Sequence, residues 1–198
     1  MENRKLFRLL FVLCCIATLA SLSPAAFGQG RNSATRYVTG TVVGVGGRAS
    51  GRTQAFNLII NRTTSAEEVQ RLTSALQNGQ DDLLKTISGM EAGRITIGNG
   101  VGVRANVITE TPVEGGRKIT VIYERNVNFY EMRYGTRSQD YKFGYAELFL
   151  GGRDGNQGTF ISAAKIRLRD GNIWEVEDFG AFPARLLGLQ QRGGNVRR

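Results

Sequence analysis

Apolar residues fill almost every position from Leu9 to Leu22, with Arg4, Lys5 and Arg8 before them and Pro24-Ala25-Ala26-Phe27-Gly28 after. A positive head, a short apolar body and a small-residue exit are the parts of an export signal. Ala26 and Gly28 stand at the −3 and −1 spacing that signal peptidase reads, which predicts a cut between Gly28 and Gln29. A membrane-spanning helix needs ~20 apolar residues, and this run is shorter. The expectation is a removed signal over 1–28, with no transmembrane segment in the mature chain.

After a polar segment over 29–35, the pattern changes to a period of two. Arg36 to Val45 is rich in β-branched residues, and Gln54 to Thr63 places Phe56, Leu58 and Ile60 on one side. Both read as strands, joined as a hairpin across the flexible Gly46-to-Gly51 turn. A helical period comes next. Ser65 with Glu68 three residues on is a capping box, and Val69, Leu72 and Leu76 recur at helical spacing. Gly79 breaks that helix. Asp81 is placed to cap a second, with Leu83, Leu84, Ile87 and Met90 buried and Gly93 closing it.

From Arg94 onward the period of two returns. Strands are expected at Arg94 to Ile97, Gly102 to Thr109, Arg117 to Glu124, Tyr141 to Leu150, Gly158 to Leu168 and Asn172 to Asp178. Glu114-Gly115-Gly116, Asp154-Gly155-Asn156 and Asp170-Gly171-Asn172 supply the positive φ of tight hairpin turns. Strands joined by turns this short cannot be parallel. The predicted fold class is α+β, mainly antiparallel: a curled sheet tending to a barrel or sandwich, with one helical pair (about 65–91) against it. One β-rich domain is expected over 36–190, with a flexible basic tail over 191–198.

Composition narrows the chemistry. The chain has no histidine, and its two cysteines, Cys14 and Cys15, both lie within the signal. Neither stands after the small residue that lipid attachment requires. The mature chain thus offers no thiol, no disulfide and no imidazole, so His- and Cys-based triads and ordinary zinc sites are excluded. No cofactor or metal is expected. Loss of the signal removes three basic residues and one acidic residue, lowering the formal charge from +9 to +7. Most of the positive charge is arginine, which makes flat bidentate contacts with carboxylate or phosphate.

Three constellations carry candidate chemistry. Tyr123 to Tyr145 interleaves aromatic and basic residues. Within it, Tyr130, Arg133, Tyr134 and Arg137 show no clean alternation and are the candidate exposed ligand-binding residues, on a strand end running into loop. Tyr141, Phe143 and Tyr145 alternate strictly and are expected to pack the sheet. Glu175 and Glu177 share one face of a strand, with Trp174 and Val176 facing the core. They are a candidate acid–base pair for glycan hydrolysis. Asp154, Asn156 and Gly158 open like a calcium loop, but position twelve is Lys165, so a hairpin is the better reading.

The phrases Ser65-Ala66-Glu67-Glu68-Val69, Gly79-Gln80-Asp81-Asp82-Leu83-Leu84, Gly93-Arg94-Ile95 and Asp140-Tyr141-Lys142-Phe143-Gly144 resemble an uncharacterised class of exported bacterial proteins with a signal peptide and one β-rich domain. The resemblance spans most of Ser65 to Leu187. Similar sequences often carry proline where Lys142 stands here. It implies export and a single domain, and no activity comes with it.

Together these features predict an exported, periplasmic or extracellular, non-catalytic binding or envelope-associated domain. An anionic envelope polymer or lipid surface is the expected partner, and nucleic acid is not. The alternative is the carboxylate-based hydrolase built on Glu175 and Glu177. An aromatic-lined pocket would favour ligand binding, and two acids facing each other across a cleft would favour hydrolysis.

Overall fold

The capping box read at Ser65 forms in both halves. Glu68 N–H donates to Ser65 Oγ at 3.2 Å, and Ser65 N–H donates to Glu68 Oε2 at 2.8 Å. The computed structural model of the chain describes residues 34–45, 50–125, 140–152, 155–170, 173–178 and 183–193. Helix α1 spans Ala66–Asn78 and α2 spans Gln80–Ser88, burying Leu72, Leu76, Leu83 and Ile87. Among the described residues, no helix is long and apolar enough to cross a membrane.

Two details of the helical pair differ from expectation. Gly79, not Asp81, is the N-cap of α2, and no side chain caps it. Asp81 lies in the first turn instead, where its charge complements the helix dipole. Gly93 does not close α2, which ends at Ser88; it opens a strand. A β-carbon at residue 93 would stand 2.0 Å from Ile59 O, so close backbone approach is what demands glycine there.

Among the described residues, ten strands form one antiparallel sheet. They are β1 (Arg36–Val43), β2 (Thr53–Ile60), β3 (Gly93–Ile97), β4 (Val103–Ala105) and β5 (Val107–Val113), then β6 (Gly116–Glu124), β7 (Phe143–Gly151), β8 (Gln157–Arg169), β9 (Ile173–Asp178) and β10 (Ala184–Gly193). The order is β4-β3-β2-β1-β10-β8-β7-β6-β5, and β9 pairs with β8. The expected β1–β2 hairpin is present, with Arg36 opposite Ile60 and Val43 opposite Thr53. Turn chemistry also acts as read: Gly115 and Gly155 have φ of 73° and 67°, and Asp170 reaches 53°.

The segment read as one strand from Gly102 to Thr109 is two strands, divided at Asn106. Asn106 is 2% exposed, so each of its polar atoms needs a partner. Its Nδ2 donates to Ile87 O at 2.9 Å and Met90 O at 3.0 Å, and its Oδ1 accepts from Glu124 N at 2.9 Å. One side chain therefore ties the sheet's bend to the end of α2 and to β6. Thr64 fixes the other approach: its N–H donates to Ile108 O at 2.7 Å, and its Oγ1 accepts from Ile108 N at 3.0 Å.

Among the described residues, no ladder closes β4 onto β5, the two ends of the sheet order; Asn106 joins them covalently. The sheet nevertheless curls. Its inner face gathers Val38, Phe56, Ile95, Ile108, Val121, Leu148 and Leu189 into one core. Arg36 on β1 reaches across to Glu110 on β5, with Nη2 2.6 Å from Oε1. A second core lies between the helical pair and the outer face of β5 to β9, around Leu72, Leu83, Ile122, Phe143 and Ile166. An extra residue on β8 opposite Phe143–Tyr145 bulges the strand, which keeps both Ile161 and Ala164 in this second core.

Strand β10 was not expected at all. It lies between β1 and β8, so the last described segment stands near the middle of the sheet. It also runs to Gly193, past the limit of 190 set for the domain and into the segment read as tail. Buried Leu186 and Leu189 hold it against the inner core.

Candidate functional site

Alternation along β5, β6 and β7 sends Ile108, Val121 and Leu148 inward and leaves Val107, Thr109, Lys118, Thr120, Ile122 and Tyr145 on the outer face. Helix α1 crosses above that face, and β9 presents Trp174 and Val176 at its side. Between them lies a cavity of about 240 Å³, lined by all six outer residues together with Val69, Leu72, Trp174 and Val176. The α1 and β9 side chains are apolar. The polar atoms come from Lys118, Tyr145 and the two threonines.

The walls are fixed by specific bonds. Trp174 Nε1 donates to Thr73 Oγ1 at 3.0 Å, which holds the indole against α1. Lys118 Nζ stands 3.0 Å from Glu147 Oε1. Burial pushes the Tyr145 phenol well above its ordinary pKa, and the neighbouring Glu147 carboxylate pushes the same way, outweighing a hydrogen bond with Thr120. The result is an apolar recess with a neutral phenol and an ion pair at one side. It can hold a small apolar group and orient a polar end.

Tyr141, Phe143 and Tyr145 separate in role. Phe143 is fully buried in the outer core, as expected of a packing residue. Tyr145 lines the cavity. Tyr141 precedes β7, and its hydroxyl donates to Glu177 Oε1 at 2.7 Å.

Glu175 and Glu177 do share one face of β9, opposite Trp174 and Val176. They sit side by side on one strand, over Arg167 and Lys165 of β8, and do not oppose each other across a cleft. Glu177 is also 2.6 Å from Arg167 Nη2. Tyr130, Arg133, Tyr134 and Arg137, together with Gly28, Gln29 and Asp154, lie outside the described residues. Among the described residues, no group of three His, Cys, Asp or Glu is placed to hold a metal ion.

The sequence signal that could have located the cavity was weak. Lys118, Thr120 and Ile122 are ordinary outward positions of a strand, and nothing local says that α1, some fifty residues earlier, covers them. Comparison with protein-family models, with curated proteins and with solved structures gives no match. The resemblance to exported bacterial proteins accordingly rests on the quoted phrases alone.

Proposed function

We propose that the protein is an exported, non-catalytic binding domain of the cell envelope and that its ligand is small and largely apolar. The observation that carries this reading is the recess beneath α1, where Trp174 and Tyr145 flank apolar walls and Lys118 stands at the polar side. A recess of this size suits a short acyl chain or a single ring better than a polymer. The chain's basic balance supports a location at an anionic envelope polymer or lipid surface. The export signal and the likeness to exported bacterial proteins support a periplasmic or extracellular place of action.

A binding role fits the site better than hydrolysis. Glu177 is engaged by Tyr141 and Arg167, and neither Glu175 nor Glu177 lines the recess.

The chain has one tryptophan, and it is in the wall of the recess. Titration with short-chain alcohols, short-chain carboxylates and single-ring aromatics should therefore change Trp174 emission saturably. Val176→Phe, which fills the recess, should abolish that response while leaving the thermal midpoint near its original value. A response to none of the three probes, or one that survives Val176→Phe, overturns the assignment.

A further inference from the structure

The inner face carries a second feature, independent of the recess. Strand β8 begins at Gln157, opposite Leu187, so β10 from Gly188 onward has a strand neighbour only in β1 among the described residues. Leu189 N–H donates instead to Asn156 O at 3.0 Å, in the loop before β8. The wall of the curled sheet is thus notched where β8 has not yet started. A cavity of about 650 Å³ occupies the notch, bounded by the ends of β6, β7 and β10.

Arginine faces this cavity. Arg117 pairs with Leu150 across the ladder and shares its inward face, at the same end of the curl as Arg36 and Glu110. Glu110 is the acid within reach of that end, and Arg36 holds it at 2.6 Å. Arg117 has no carboxylate partner among the described residues. Its guanidinium hydrogen-bonds the Gln191 side chain, and its Nε is buried with no hydrogen-bond partner. A half-buried cation whose partner is a neutral amide has lost water without gaining a counter-charge. Asn156, Gln190 and Gln191 line the same cavity, the Gln191 side-chain amide beside Arg117, and its walls contain no acidic residue among those described.

We propose that this notch binds an oxyanion, a carboxylate or phosphate group, with Arg117 as the counter-charge and the flanking amides as donors. The guanidinium fork suits planar carboxylate and tetrahedral phosphate alike, because both present paired oxygens to it. The site is open enough to admit the charged end of a larger solute.

Calorimetric titration of the full chain with inorganic phosphate, and separately with acetate, at constant ionic strength set by chloride, tests the proposal. Saturable one-to-one binding of at least one anion is expected, and which of them binds distinguishes the two group types. Arg117→Gln should weaken it about tenfold or more, the effect of losing one charge-assisted pair. Arg185→Gln, on an exposed β10 residue away from the cavity, should leave it unchanged. Gln191→Leu gives a second variant if Arg117→Gln proves unfolded, and it too should weaken binding. Val176→Phe should have no effect, which separates this site from the recess beneath α1. Saturable binding of neither anion, or affinity unchanged in a folded Arg117 or Gln191 variant, overturns the proposal.

Discussion

The ring of Tyr123 covers Gly144, its cross-strand partner on β7, so closely that a β-carbon at residue 144 would stand 1.9 Å from Tyr123 Cζ. The same ring stacks on Phe160 of β8, with centroids 6.4 Å apart and planes 16° apart. An aromatic residue thus fills the place of the missing side chain and links three strands on the inner face. Gly144→Ala should destabilise the fold by about 1–3 kcal/mol through overpacking. Chemical denaturation checks this, with Tyr123→Leu as partner in a double-mutant cycle. If the two losses simply add, the ring and the glycine are not coupled.

Asn106 makes the next prediction. Asn106→Ala removes the acceptor for Glu124 N–H and the donor to Ile87 and Met90 carbonyls in a buried site. A loss of about 2–4 kcal/mol is expected, since the partners are left unsatisfied. Amide exchange should quicken both at the end of α2 and in β6. Exchange altered in only one of them would show that Asn106 does not bind the two together.

Stability should fall at both extremes of pH, for different reasons. Burial raises the pKa of Tyr123 and of Tyr145 above that of a free phenol. The unfolded chain then releases these protons first, so their contribution is whole below pH ~10 and is lost as pH rises beyond it. Glu68 behaves oppositely. Burial pushes its carboxyl up, but Arg62 at 2.8 Å and the Ser65 cap together hold it below its ordinary value. Its contribution is present above pH ~4 and is lost as pH falls through the lowered value. Denaturation midpoints across pH, compared with Glu68→Gln, read both limbs. An acid limb unchanged by Glu68→Gln would refute the second assignment.

Packing gives the last prediction. Phe143 is fully buried, so Phe143→Ala should cost about 3–5 kcal/mol by opening a cavity in the outer core. Tyr141 is only half-buried, and its hydroxyl donates a hydrogen bond to Glu177, so Tyr141→Phe should cost about 1 kcal/mol. Equal costs would mean that the two aromatics are not divided between core and rim as described.

Local patterns make most of the fold legible in the sequence. Ser65 and Glu68 announce their cap, and the Glu114-Gly115-Gly116 turn announces its hairpin, because the deciding contacts lie within a few residues. Strand β10 carries no such signal. Ala184 to Gly193 has no β-branched residue and includes Gly188 and two glutamines, so propensity argues against a strand. Its strandedness comes from pairing with β1, some 150 residues away, and from burial of Leu186 and Leu189. The recess beneath α1 was hidden for a related reason: the helix, β6 and β9 that form it belong to three separate stretches of chain. Alternation puts Tyr145 on the same face as Phe143, but only the packing of α1 turns part of that face into a cavity.

The position of β10 has a consequence for the order in which the molecule is completed. Strands β5 to β8 are neighbours in sequence and in space and can assemble as each emerges, whereas β1, paired early with β2, must wait for its second partner, β10, which is synthesised more than 140 residues later. Contacts that span so much chain form slowly. Until residues 184–193 arrive, β1 keeps one edge of backbone donors and acceptors open, and the β1–β4 half has no strand linking it to the β5–β8 half. Among the described residues, strand pairing therefore joins the two halves of the sheet only once residues 184–193 are in place. That wait marks the interval in which the open edge of β1 is most exposed to pairing with another copy.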